Sequence, residues 1–248
     1  MRVALCLSGQ ARGIDKTWYK FVKNIIEPNN CDVFISFAND SSLDNFYKVK
    51  IDFTELELTK DPSLEYLYSI ARGPMPYIRH IAEMGEECTN LAVLRQYYFI
   101  KRANDLKSDY EKRNGFVYDW VIRSRADLYI NEPLDDLSKL DNSCIFIPAS
   151  NNGGGLNDFF AFSSSKNMDI YCNRIEEVKK IEMPPFPFWN PHQELQYILN
   201  KNNIPVFIGN INIEREREWR GIDDENCHKY YGKYGEPIIE YRRKIREG

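Results

Sequence analysis

The start of the chain, residues 2–37, constrains the fold more than any other part. An apolar run of strand length, RVALCLSG, stops at Gly9. Apolar residues then recur every three or four positions, the spacing of one helix face: Trp18, Phe21, Val22, Ile25 and Ile26. Pro28 is expected to end this helix, and a second apolar run, CDVFISF, follows it. A strand, a helix and a strand in this order predict a parallel sheet covered on both faces.

The remainder of the chain continues the alternation of strand and helix signals. Further strands are predicted at TELELT, CIFIPAS, FFAFSS and IPVFIG. Three further helices are predicted from their periodicity and caps: Asn90 to Lys112 closed by Asn114 and Gly115, one capped by Ser165, and one capped by Asn190. The segments ARGPMPYIRH and MPPFPFWNP and the tail from Glu214 onward show no clear period. We expect one α/β domain over residues 1–248, with a mostly parallel central sheet flanked by helices.

Composition excludes several classes of protein. A net charge of −4 in 248 residues gives no basic field, so nucleic acid is not an expected partner. No apolar stretch approaches the roughly 18 to 20 residues of a membrane span. No signal-peptide pattern follows Met1, and the 6 cysteines are scattered without a C-x-x-C pair. Free thiols and a cytoplasmic location are therefore predicted.

The common catalytic and nucleotide-binding motifs are missing from the sequence. No G-x-G-x-x-G follows the first strand, which argues against a dinucleotide site. There is no G-x-x-x-x-G-K-[ST], H-E-x-x-H or G-x-S-x-G motif either. The usual kinase, metalloprotease, hydrolase and dehydrogenase assignments therefore have no support.

The stretch YDWVIRSRADLYINEP looks like a buried strand that carries charges. Because strand side chains alternate between faces, Arg123, Arg125 and Asp127 are expected on one face. An unpaired buried charge costs several kcal/mol or more, so these groups need partners. Arg125 and Asp127 form either a simple salt bridge or part of a ligand site, and Arg123 requires a further partner.

Polar residues also follow other predicted strands. The loop SGQAR offers Ser8, Gly9, Gln10 and Arg12, that is, backbone N–H groups and a guanidinium suited to phosphate. The loop NNGGGLND contains Asp158, and Glu194 lies in the first turn of a predicted helix. In open α/β sheets ligands bind at the carboxyl ends of the strands, so these groups are expected to converge on one edge.

Four segments in order, RVALCLSGQARG, CDVFISF, YDWVIRSRADLYI and NDFFAFSSSKNMDIY, resemble small bacterial and viral GT-A-type glycosyltransferases. The resemblance covers residues 2–37 and 90–210. It implies a Rossmann-like GT-A domain with a nucleotide-binding half, residues 1–130, and an acceptor-binding half and tail, residues 131–248. The implied activity transfers a sugar from a UDP- or GDP-sugar to a hydroxyl of a glycan acceptor, in the cytoplasm, or the host cytoplasm for a viral protein.

The resemblance also implies roles for the candidate site residues. The donor would be bound by Ser8, Gly9, Gln10, Arg12, Arg123, Arg125 and Asp127. The metal-binding Asp-x-Asp of these enzymes corresponds here to Arg125-Ala126-Asp127, so the first carboxylate is replaced by a cation. Either Asp127 holds Mn²⁺ or Mg²⁺ with help from the diphosphate, which is the preferred interpretation, or Arg125 neutralises the diphosphate directly.

The catalytic base implied by the resemblance is Glu194, with Asp158 as the alternative, in a displacement that inverts the sugar carbon. A retaining reaction and the oligomeric state stay open. Two other interpretations also stay open, an inactive nucleotide-sugar or glycan binding module and a sugar nucleotidyltransferase.

Overall fold

A computed structural model describes residues 1–71, 89–152, 154–180 and 191–216 of the chain. Nearly all of ARGPMPYIRH, all but the last residue of MPPFPFWNP, the predicted Asn190 cap and the tail beyond Glu216 lie outside the described residues. The predictions made for those segments therefore stay predictions.

The central sheet contains seven strands within the described part of the chain. They are β1 Val3–Gly9, β2 Asp32–Ala38, β3 Glu55–Thr59, β4 Trp120–Arg125, β6 Ile145–Pro148, β7 Phe160–Ser163 and β8 Val206–Gly209. Their order is β3-β2-β1-β4-β7-β6-β8, and only β7 runs antiparallel to its neighbours β4 and β6. A separate antiparallel pair consists of β5 Leu128–Ile130 and β9 Ile213–Arg215. The predicted mostly parallel α/β sheet is confirmed.

Helices cover both faces of this sheet. They are α1 Ile14–Phe21, α2 Leu43–Phe46, α3 Leu64–Ala71, α4 Thr89–Asn114, α5 Ser165–Cys172, α6 Arg174–Val178 and α7 Pro191–Lys201. The alternation of strand side chains divides the core, because Cys6 packs on the α4 side with Tyr97, whereas Leu5 packs on the α1 side with Phe21. Among the described residues no helix is long and apolar enough to cross a membrane.

One prediction about the charged strand is wrong. The strand ends at Arg125, and Ala126 and Asp127 form a turn before β5, which belongs to the other sheet. The backbone leaves the sheet because distant groups bind its carbonyls. The Thr17 hydroxyl donates to the Ala126 carbonyl at 2.6 Å, and the Glu216 N–H donates to the Asp127 carbonyl at 2.9 Å.

The first helix extends past Pro28, contrary to the prediction. After α1 it continues through a π-helical turn, Val22–Ile26, and a last turn, Glu27–Asn29, and it ends where Asn30 is left-handed with φ 48°. Pro28 has no N–H to give to the Asn24 carbonyl, but that carbonyl accepts a hydrogen bond from the Leu134 N–H at 3.4 Å. The helix therefore tolerates the proline.

Two smaller predictions also need correction. The residue at the N-cap of α5 is Ser164, whereas Ser165 is inside the helix and accepts a hydrogen bond from the Lys107 ammonium at 2.6 Å. Strand β9 was not predicted, because three residues with two charges show no recognisable pattern. The closing of α4 by Gly115 is confirmed, with a φ of 68°. Four free cysteines agree with the thiol prediction: Cys6, Cys31, Cys144 and Cys172.

Candidate functional site

The candidate site lies at the carboxyl ends of β1 and β4. In the parallel pairing of these strands Ser8 is opposite Arg125, so the loop after β1 and the turn after β4 begin side by side. The chain order reverses here, because β2 and β3 lie on one side of β1 and β4 lies on the other. Such a reversal opens a crevice in which open α/β sheets bind their ligands. The predicted convergence of these two segments is confirmed.

The loop after β1 is held by the segment that follows β2. Gln10 donates to the Asp40 carboxylate at 2.7 Å, and the Ala11 N–H donates to the Ser42 hydroxyl at 2.9 Å. Burial acts to raise the pKa of Asp40, but hydrogen bonds from Ser42 and Gln10 and the charge of Arg12 leave it below its usual value. The loop is therefore fixed at both ends, while the Arg12 side chain itself is exposed.

Two details at the end of β1 suit a close approach to a ligand. Gly9 has a φ of 106°, a conformation that side chains with a Cβ rarely adopt. The hydroxyl of Ser8 is buried and has no hydrogen-bond partner among the described residues. A ligand at this edge would meet a hydroxyl that still has its hydrogen bonds to make.

Arg125 and Asp127 form a bidentate ion pair across the turn. The Arg125 Nε and Nη2 atoms donate to the two Asp127 oxygens at 2.7 and 2.8 Å. Burial acts to raise the pKa of Asp127, but the hydrogen bonds and the charge of Arg125 bring it below its usual value. The Asp127 carboxylate is therefore paired with Arg125, an arrangement that agrees both with a simple salt bridge and with part of a ligand site.

A second cation, Arg215, lies beside this pair and was not predicted from the sequence. In the β5–β9 ladder Arg215 is opposite Leu128, which directly follows Asp127. Its guanidinium lies 5.3 Å from the centre of the Phe159 ring, and that of Arg125 lies 5.2 Å from the same centre. Only the pairing of β9 with β5 reveals this neighbour, because Arg215 follows Arg125 by 90 positions.

A second group of charges lies inside the molecule, which we call the arginine cluster: Arg123, Arg174, Asp158, Glu194 and Tyr97. The Arg123 Nη1 atom donates to the backbone carbonyl of Asp158, and Arg174 lies 3.8 Å from the carboxylate of Asp158. The Arg174 guanidinium also stacks 4.4 Å from the centre of the Tyr97 ring. Nε and Nη2 of Arg123 and all three side-chain nitrogens of Arg174 have no hydrogen-bond partner among the described residues. Sequence reasoning missed Arg174 and Tyr97, which belong to helices of ordinary amphipathic pattern.

Glu194 is in the interior rather than at the surface of a cleft. Its exposed fraction is 0%, and the Tyr97 hydroxyl donates to one of its carboxyl oxygens. Burial raises the pKa of Glu194 to about 8 even though Arg174 and the Tyr97 hydrogen bond act in the opposite direction. At neutral pH this carboxyl carries a proton, which is the wrong state for accepting one from a hydroxyl.

Asp158, the alternative base, is connected to the Arg125 pair through Gln96. The Gln96 Nε2 atom donates to the Asp158 carboxylate at 3.1 Å, and its Oε1 atom accepts from Arg125 at 3.3 Å. His192 lies 3.6 Å from the other carboxylate oxygen. Asp158 is 3% exposed, so it too is covered by protein. The structure thus brings both candidate bases into one polar network behind the β1–β4 edge.

The glycine-rich loop is packed tightly against the start of α7. A Cβ at Gly155 would lie 2.3 Å from the backbone carbon of His192, so no other residue fits without moving the helix. The Leu156 N–H donates to the His192 carbonyl at 3.0 Å. This contact explains how the loop brings Asp158 next to α7 and hence to Glu194.

The comparisons with known proteins place the chain in a family. The family model described as Domain of unknown function (DUF7796) matches residues 1–211. The chain belongs to this family. No curated protein matches the chain. The DUF7796 match includes every site residue predicted from the sequence, but it ends before Arg215.

The described part of the DUF7796 domain does not offer a donor set that fits a divalent cation. Mg²⁺ and Mn²⁺ prefer several oxygen ligands, and carboxylates supply most of them in proteins. Both oxygens of Asp127 are bonded to Arg125, and Asp158 faces Arg123 and Arg174. In the described ranges no group of three His, Cys, Asp or Glu side chains is placed to hold a metal ion. A cation at Asp127 would have to compete with the guanidinium of Arg125.

Proposed function

We propose that this DUF7796 protein is a GT-A-like glycosyltransferase that moves a sugar from a nucleotide-diphosphate sugar to a hydroxyl of a glycan acceptor. The observation that carries the proposal is the pairing of Ser8 with Arg125 at the reversal of strand order. It puts backbone N–H groups, a buried hydroxyl and guanidinium groups at the edge where α/β sheets bind nucleotides.

The donor is bound by the loop after β1 and by the turn after β4. Ser8, Gly9 and Gln10 line the end of β1, and Arg12 projects from the same loop into solvent. Arg125 retains N–H groups beyond the two that bind Asp127, and these can reach a phosphate oxygen. Developing negative charge on the diphosphate leaving group is stabilised by these fixed cations.

In the proposed reaction the acceptor oxygen attacks the anomeric carbon while the bond from that carbon to the diphosphate oxygen breaks. The acceptor proton passes to a carboxylate. Asp158 suits this role better than Glu194, because only one glutamine separates it from Arg125 and because burial keeps Glu194 protonated. Donor binding must then uncover Asp158, which is 3% exposed.

A second candidate function is a nucleotide-sugar binding module without catalysis. The burial of Asp158 and Glu194 favours it, because a base has to reach the acceptor hydroxyl. Both candidates predict donor binding, and only the transferase predicts cleavage of the donor.

The experiment is a panel of UDP-, GDP- and dTDP-sugars, scored by donor-dependent thermal stabilisation and by release of free nucleoside diphosphate. For a transferase we expect stabilisation by one nucleotide class and slow release of its diphosphate. Arg12→Gln should weaken that binding about tenfold, since one phosphate contact by an exposed guanidinium is lost. Lys112→Gln is the matched control, because Lys112 is exposed and pairs with Asp109 in the last turns of α4.

Three results are informative in this panel. Binding without nucleotide release under any condition would favour the binding module. If Arg12→Gln and Lys112→Gln weakened binding equally, the result would contradict the placement of the donor at the β1 loop. Absence of any nucleotide-dependent stabilisation would exclude both candidates.

A further inference from the structure

The ion pair at the β4 turn and its neighbour Arg215 determine how a diphosphate is held. We propose that Arg125 and Arg215, rather than a divalent cation, neutralise the diphosphate of the donor. This inference rests on the proposed function, and it adds a binding residue, Arg215, that lies beyond the residues matched by the family model.

Arg215 is held in place, but among the described residues no carboxylate forms an ion pair with it. Strand β9 holds its backbone opposite Leu128, and the Phe159 ring supports its guanidinium. Within the parts of the chain that the structure describes, Arg215 forms no ion pair and no side-chain hydrogen bond. It is half-buried, so its N–H groups are partly removed from water without receiving another acceptor.

Two guanidinium groups on one aromatic ring repel each other unless an anion lies nearby. Burial lowers the pKa of Arg215, and the charge of Arg125 lowers it further, against the attraction of Asp127 and Asp158. Asp127 already forms both of its short contacts with Arg125. Arg125, Arg215 and Asp127 together therefore carry more positive than negative charge at the edge where the donor is proposed to bind.

Among the described residues, the neighbouring carboxylates do not supply the missing negative charge. The Glu216 carboxylate accepts hydrogen bonds from Lys16 and Tyr129. Asp158 faces Arg123 and Arg174, which are themselves buried and incompletely hydrogen-bonded. Glu194 is protonated at neutral pH. A diphosphate would bring both the charge and the acceptor oxygens, and guanidinium groups bind such oxygens in a planar, bidentate manner.

A metal ion would add positive charge at this edge, where negative charge is missing. It would place another cation beside Arg125 and Arg215 and would need Asp127 to give up two short hydrogen bonds. Hard cations also require several oxygen ligands. Among the described residues, both oxygens of Asp127 are bonded to Arg125, and the nearby Glu216 carboxylate accepts hydrogen bonds from Lys16 and Tyr129. The arginine pair performs the same neutralisation with the residues already in place.

The test is titration calorimetry of UDP and GDP against the full chain, once with EDTA and once with Mn²⁺. We expect one nucleoside diphosphate to bind in EDTA with a Kd within about threefold of that in Mn²⁺. Arg215→Gln should weaken binding in EDTA by at least about tenfold, because a charge-assisted contact is lost. Arg215→Lys should recover part of the affinity, because the charge returns without the planar fork. Arg113→Gln, an exposed arginine paired with Glu55, is the control and should bind like the wild type.

The outcomes separate this inference from the proposed function. Binding that appears only with Mn²⁺ would overturn the arginine pair and leave the transferase proposal standing. Wild-type affinity of Arg215→Gln in EDTA, with Arg12→Gln still impaired, would overturn the role of Arg215 alone. If neither nucleotide binds under either condition, the proposed function fails and this inference fails with it.

Discussion

Two buried groups of charges in this protein differ in how completely their hydrogen bonds are made. Lys107 on α4 is fully buried, and its ammonium donates to Glu111 at 3.1 Å, Ser165 at 2.6 Å and Asp169 at 2.8 Å. We call these four residues the lysine cluster. In the arginine cluster, by contrast, Arg123 and Arg174 are equally buried, but most of their nitrogens have no hydrogen-bond partner within the described ranges.

The pKa directions of Lys107 and Arg123 follow the same difference. Arg174 does not, because burial acts to lower its pKa but the charges of Tyr171, Tyr97 and Asp158 raise it above its usual value. Burial acts to lower the pKa of Lys107, but the charge and hydrogen bond of Asp169 raise it above its usual value. Burial lowers the pKa of Arg123, and its neighbours do not compensate. The lysine cluster joins helices α4 and α5, and the Lys107 ammonium has an acceptor for each of its three N–H groups. The incomplete arginine cluster behind the β1–β4 edge requires an explanation, and the ligand that we propose at this edge would give one. Four predictions test this comparison.

The largest effect is expected for Lys107→Met. Removing the cation leaves Glu111 and Asp169 without their partner, so the free energy of unfolding should fall by about 3 to 5 kcal/mol. Urea denaturation measures it. Lys101→Met is the matched control, since Lys101 pairs with Asp105 on the same helix but is partly exposed, and it should cost less than about 1 kcal/mol. Equal losses for the two variants would show that the lysine cluster has no special structural role.

Glu194→Gln should change how stability depends on pH. Because the folded-state pKa of Glu194, about 8, lies above the ordinary value of 4.5, its contribution is complete below the ordinary value and is lost as pH rises toward 8. The unfolding free energy of the wild type should therefore fall by about 3 kcal/mol more than that of the variant between about pH 5 and pH 8. Denaturation curves across that range measure the difference. Glu27→Gln, an exposed site, should follow the wild type, and parallel curves for all three proteins would contradict the burial of a protonated Glu194.

The Arg125–Asp127 pair should show coupling in a double-mutant cycle of Arg125→Gln and Asp127→Asn. Each single change leaves a largely buried charge alone, whereas the double change removes both, so the coupling should be about 2 kcal/mol. The exposed Lys139–Asp136 pair, tested in the same way, should give about 0.5 kcal/mol. Additive effects at Arg125 and Asp127 would mean that the pair is not held as the geometry indicates.

The smallest effect on stability is expected for Arg174→Met. The loss of ring contacts is offset because a guanidinium with unmade hydrogen bonds leaves the interior, so the cost should be about 1 kcal/mol. Lys179→Met, which removes a half-exposed cation near the Tyr66 ring, provides a reference of similar size. If Arg174→Met were as destabilising as Lys107→Met, the proposed difference in hydrogen bonding between the two clusters would be contradicted.

The sequence predicted the alternation of strands and helices well, because that alternation depends on near neighbours. The strand β1, the helix after it and β2 were all recognisable from apolar spacing. It also offered a salt bridge between Arg125 and Asp127 as one of two alternatives, since they are only two positions apart. It did not predict that the strand stops between them, because the stop depends on Thr17, 109 positions away from Ala126, and on Glu216.

The site was predictable only in part for the same reason. The polar residues at the ends of β1 and β4 were found, because parallel strands bring their carboxyl ends to one edge. Arg174, Tyr97 and Gln96 were missed, because on a helix of ordinary pattern nothing distinguishes a residue that faces a buried carboxylate from one that faces the core. The sequence likewise suggested an accessible Glu194, whereas packing against Tyr97 buries it.

By itself the sequence determined the fold class and the edge of the sheet at which polar groups gather, since both follow from local periodicity and the direction of parallel strands. Only the tertiary structure decided which charges meet there. The pairing of β9 with β5 brings Arg215 beside Arg125, and the contact of Gly155 with α7 brings Asp158 near Glu194. Such encounters depend on strand order, register and packing between distant segments, which no short stretch of sequence contains.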